Sequence, residues 1–80
     1  MPMRTTYSQL KELEKRVNHY LRNVKVRVSK RYDYYAIDLY HPSGEYQLDT
    51  LVSGLTAKEA REILEALANV LWYEFEKQNI

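Results

Sequence analysis

Eighty residues with a net charge of +1, no cysteine, two glycines and two prolines make one small domain. Such a chain has no disulfide framework, no thiolate nucleophile and no Cys-rich zinc site. No apolar run approaches the roughly 20 residues of a membrane span, and the N-terminal stretch lacks a secretory h-region, so the expected location is cytoplasmic.

The small net charge hides a division. From Met1 to Tyr32, nine Lys and Arg stand against two acidic residues, a balance of +7; from Asp33 to Ile80, three stand against nine, a balance of −6. Either the halves attract each other inside one fold, or the basic half meets an anionic partner.

Met1 to Thr5 reads as a frayed lead. Thr6 and Gln9 have the spacing of a capping box, which starts a first helix over about 6–22. Its apolar face is Tyr7, Leu10, Leu13, Val17, Tyr20 and Leu21, extending to Val24. Lys11, Lys15, Asn18 and Arg22 form a separate stripe, either a solvated flank or a row of phosphate contacts. VKVRV then alternates strictly and predicts a strand over about 24–29, with Val24, Val26 and Val28 on one face. Ser29 to Asp33 reads as a polar connection.

YYAIDLY predicts a second strand over 34–40, with Tyr35, Ile37 and Leu39 inward and Asp38 and Tyr40 outward. His41-Pro42-Ser43-Gly44 is a turn: proline pre-sets its first central position, and Gly44 supplies the positive φ of a following bulge. The returning strand spans about 45–52, with Tyr46, Leu48 and Thr50 inward. That register places Arg27, Asp38 and Gln47 in one row across the open face, with Arg27 and Asp38 as a cross-strand charge pair. Ser53-Gly54 then breaks the strand.

Leu55 to Phe75 carries the strongest helix signal, over about 57–77. Thr56 and Glu59 form its capping box, and Ala60, Ile63, Leu64, Leu67, Val70, Leu71 and Phe75 fill one arc of the wheel. The expected class is α+β, in the order α-β-β-β-α. Three strands form an antiparallel meander with both helices on one face, because each strand offers one apolar face.

Little here suggests catalysis. His19 and His41 lack an acidic or histidine partner at helical spacing, Asp33, Asp38 and Asp49 lack a second catalytic partner, and Gly44 and Gly54 each belong to a turn. The chain is expected to be non-enzymatic, without metal or cofactor.

Two surfaces stand out instead. Lys30, Arg31, Tyr32 and Tyr34 interleave cations with aromatics, a composition enriched at protein contacts and equally suited to nucleic acid. Trp72, beside Arg61, Glu65 and Ala68, and Tyr73 on the opposite flank, fall off the core arc of helix 2, which points to a contact with another protein or to a homodimer through that helix.

Helix, three strands, helix resembles the order of double-stranded-RNA-binding domains. There the contacts come from the first helix, the loop between strands 1 and 2, and the start of the last helix. The matching basic residues are Lys11, Lys15 and Arg22, then Lys30 and Arg31, then Lys58 and Arg61; Ser29 to Asp33 stands where that family has a Gly-Pro-x-His loop. Gly54 followed by Leu55-Thr56-Ala57-Lys58-Glu59-Ala60, after a tyrosine-rich meander, resembles small phage and prophage proteins of Gram-positive bacteria. Some of those are anti-CRISPR-type inhibitors of host defence nucleases. That resemblance implies an inhibitor that binds a host protein and occludes its surface.

Overall fold

In a computed structural model, residues 5–78 are described, and the lead at Met1 to Arg4 lies outside them. The order is α1 (Tyr7–Tyr20), β1 (Lys25–Arg31), β2 (Tyr34–Tyr40), β3 (Gln47–Leu55) and α2 (Ala57–Gln78). The strands make one open antiparallel sheet in the order β1-β2-β3. The fold is the expected α-β-β-β-α.

Both helices start at the capping boxes read from the sequence. Thr6 accepts from the N–H of Gln9, whose side chain accepts from Thr6 in return. Thr56 and Glu59 do the same at α2, at 3.1 and 2.9 Å. The Thr56 backbone N–H, then its hydroxyl, hold the Glu59 carboxyl below the usual carboxylate range.

One hydrophobic cluster joins Leu10 and Val17 of α1, Val26, Val28, Ile37 and Leu55 of the sheet, and Ala60, Leu64 and Ala68 of α2. The helices run parallel along it. Arg61 reaches Thr5 at one end, and Tyr20 meets Phe75 at the other.

Several expectations change. Helix 1 stops at Tyr20, because Leu21 turns to extended backbone (ψ 135°) and leads the chain back into β1. Half of the polar stripe of α1, Lys11 and Asn18, is a seam against β1 that Glu14 joins, while Lys15 and Arg22 stay on an exposed flank. Asn18 bonds both the N–H and the C=O of Val26, Glu14 accepts from the N–H of Val28 at 2.7 Å, and Lys11 donates to the Val28 carbonyl at 3.0 Å. These bonds satisfy backbone groups that an edge strand otherwise leaves unpaired. Strand β1 also runs to Arg31, so Ser29 to Arg31 are strand and not loop.

Strand β3 begins at Gln47 and continues through Gly54 (φ +71°) to Leu55. Its inward residues are not those expected. The register against β2 shifts three times, leaving Leu48 and Leu51 without partners in the ladder. Leu48 is exposed, as are Tyr46, which precedes the strand and stacks on His41, and Thr50, which pairs with Asp38 and donates to its carboxylate, while Val52 and Leu55 face the core. On α2, Val70 and Phe75 lie outside the buried cluster. Val70 faces off the core arc, since Leu71, one residue further on, still packs against the core, while Phe75 lies near the C-terminal end of α2, where it meets Tyr20.

Candidate partner-binding site

The β1–β2 hairpin closes on two residues, Tyr32 and Asp33, between the paired Arg31 and Tyr34. So short a loop needs positive φ at its first position to match the strand twist, and glycine or asparagine normally supplies it. Here Tyr32 does, at φ 54°, the one non-glycine with positive φ among the described residues. Its ring is 93% exposed, and no hydrogen bond or ring contact holds it. Tyr34, across the hairpin, is about one-third exposed (36%).

Beneath this tip the sheet carries a buried charge. Asp38, 1% exposed, lies on the side away from the helices yet is covered by its neighbours. Ser29 donates to it at 2.8 Å, Arg31 at 3.1 and 3.3 Å, Thr50 at 3.2 Å and Gln47 at 3.3 Å. Four donating side chains satisfy the carboxylate, as burial of a charge requires. The expected Arg27–Asp38 pair does not form, although the two residues are register partners. Arg27 instead donates to the Gly44 carbonyl at 3.2 Å and lies 4.0 Å from the Tyr40 ring centroid. Arg31 takes its place, because it is the cation that reaches the carboxylate. The base of the tip is thus tied across all three strands.

The seven cations considered for nucleic acid divide in two. Lys11, Arg31 and Arg61 are engaged: Lys11 with Val28 and Glu14, Arg31 with Asp38, and Arg61 with Thr5 and more loosely with Glu65. Lys15 makes only an exposed 3.8 Å contact with Glu12. Arg22, Lys30 and Lys58 form no ion pair among the described residues. A short stack runs from Lys30 over Tyr35, through Tyr7, to Lys11, with spacings of 5.9, 6.3 and 5.4 Å.

Trp72 and Tyr73 are 49% and 65% exposed and touch edge to face at 5.9 Å. They do not join the tip. The hairpin lies at the end where Tyr7 stacks on Tyr35 and Arg61 meets Thr5. Trp72 is three turns further along α2, about 16 Å from Arg61. The sequence candidates therefore form two surfaces at opposite ends of the molecule. His41 sits elsewhere again, stacked on Tyr46 at 4.6 Å and bonded to Ser43.

Among the described residues, no group of three His, Cys, Asp or Glu side chains is arranged to hold a metal ion, and no helix is long and apolar enough to cross a membrane. Comparison with family models, with curated proteins and with solved structures finds no match.

Proposed function

We propose that this chain is a non-enzymatic protein-binding module that acts by covering a partner's surface, with the hairpin tip Lys30, Arg31, Tyr32 and Tyr34 as its contact. The observation that carries the reading is Tyr32, which holds a left-handed backbone conformation while exposing nearly its whole ring. Such a backbone costs a non-glycine residue on the order of 1 kcal/mol. An exposed aromatic recovers none of that within the fold. It recovers it only by inserting into something else, and tyrosine is among the residues that most often do so. The Arg31–Asp38 bonds beneath keep the tip in one shape, which lowers the ordering cost of binding.

A phage-encoded inhibitor of a host protein, as the resemblance implied, is one instance of such a module. The nucleic-acid alternative draws on fewer cations, namely Arg22 and Lys58 without an ion pair, Lys30 over the Tyr35 ring and Lys15 in its exposed contact with Glu12. The test compares the proteins captured by the wild-type chain and by Tyr32→Ala, both shown folded by circular dichroism. The expected result is a partner retained by the first and lost, by tenfold or more in affinity, by the second. Equal capture by both removes the tip from the reading. Binding of labelled duplex that falls steeply between two salt concentrations replaces the reading with the nucleic-acid one.

A further inference from the structure

The exposed back of α2 has a pattern that the core does not use. Glu62, Ala66, Val70, Tyr73 and Lys77 recur every three or four residues, which places them along one stripe, and all five are exposed. Val70 and Tyr73 are 62% and 65% exposed. They line a shallow apolar depression together with Asn69 and Glu74. Around this point the helix carries more large apolar side chains than its core face uses: Leu71 is packed against the core, Phe75 meets Tyr20, Trp72 lies on one flank and Val70 and Tyr73 behind, with Asn69, Glu74 and Glu76 between them. Large apolar side chains exposed together on a helix back mark a contact surface.

We infer that this stripe is the interface of a homodimer, in which α2 packs antiparallel against α2 of a second copy about a two-fold axis passing between positions 69 and 70. The stripe is complementary to itself in that one register. Antiparallel pairing about this axis sets Val70 beside the partner's Val70 and Tyr73 against the partner's Ala66. The large ring then stands over the smallest side chain of the stripe, as a knob over a hole. The same register sets Lys77 against the partner's Glu62. Two-fold symmetry makes the Tyr73–Ala66 and Lys77–Glu62 contacts occur twice, while the Val70 pair meets once at the axis.

A parallel pairing would instead set Glu62 on Glu62 and Lys77 on Lys77, so the charges select the antiparallel arrangement. The stripe covers 16 positions, Glu62 to Lys77, or about 24 Å of helix. That is a small contact, so the dimer is expected to form in the micromolar range and to depend on concentration.

Sedimentation equilibrium from about ten to several hundred micromolar reads this directly. The wild-type chain should pass from monomer to dimer over that range. Tyr73→Ala should weaken the association at least tenfold. Glu62→Lys and Lys77→Glu should each do the same, and the double variant Glu62→Lys/Lys77→Glu should restore it. All three substitutions lie on an exposed helix face and leave the capping box intact, and circular dichroism confirms that each of the four variants is folded. A wild-type chain that stays monomeric throughout overturns the inference. So does a dimer that ignores the charge reversals. Neither result bears on the tip, because none of the substituted residues, Glu62, Tyr73 and Lys77, belongs to it.

Discussion

The sheet has two hairpin connections, and they are built in opposite ways. The β2–β3 connection uses the residues that a turn asks for. Pro42 pre-sets φ, Gly44 takes positive φ at +78°, the Gly44 N–H donates to the His41 carbonyl at 2.8 Å, and Ser43 bonds both His41 and Glu45. Every residue there serves the turn. The β1–β2 connection is two residues long and places Tyr32 where glycine would cost less. Its tip makes no internal bond, while its base is tied to Asp38. A turn optimised for folding and a turn holding out an aromatic side chain thus share β2. The second is the one with capacity left over for another molecule.

The largest way to disturb this contrast is to remove what anchors both turns. Asp38 gathers Arg31 from the strand leading to the tip and Gln47 and Thr50 from the strand leaving the other turn. Asp38→Ala strands four donors, although Arg31 is partly exposed and can turn to water. The expected loss is about 2–3 kcal/mol in denaturant unfolding, below the range for fully buried pairs. If Asp38 matters to the tip as well, partner capture falls in parallel among the molecules still folded.

A smaller effect comes from the β2–β3 turn. A Cβ at position 44 would find Arg27 Nη2 at 3.8 Å, an ordinary contact, so space is not the issue. The penalty for Gly44→Ala is the left-handed backbone itself, on the order of 1 kcal/mol. A change in stability below about 0.3 kcal/mol would mean that this turn tolerates strain as the other does, and the contrast between them would dissolve.

Much of this architecture was legible in the sequence where the information is local. The two capping boxes each fit within four residues, VKVRV alternates strictly, and Pro42 with Gly44 marks its own turn; each can be read without knowing what lies nearby. The rest depends on neighbours brought in from a distance. Lys11 and Asn18 look like any polar stripe on a helical wheel until β1 is laid beside them with its edge unpaired. Asp38 reads as an exposed partner of Arg27, and only the covering by Ser29, Arg31, Gln47 and Thr50 buries it. The bulges that turn Leu48 and Leu51 out of the ladder leave no mark on an alternating pattern. Val70 stands at a core-like spacing yet lies outside, because it falls at the edge of the apolar arc and only the packing of Leu67 and Leu71 shows where that arc stops. Lys30, Arg31, Tyr32 and Tyr34 were legible as a surface. The positive φ of Tyr32 was not, because Tyr-Asp is not a recognised sequence for a two-residue turn.

The smallest expected change in stability is also the most informative about the tip. Tyr32→Gly relieves the left-handed strain but gives the unfolded chain more freedom, and the two effects oppose each other. With the ring making no contact to lose, the net should be between zero and a gain of about 0.5–1 kcal/mol, seen as an unchanged or higher unfolding midpoint. Loss of a surface tyrosine that supported the fold would instead lower it. The sign therefore separates a tyrosine kept for the hairpin from one kept for a partner. An equally or more stable Tyr32→Gly chain that no longer holds its partner places the worth of the aromatic outside the molecule. A destabilised chain, by as much as Gly44→Ala, places it inside, and then the two turns differ only in which side chains they use to fold.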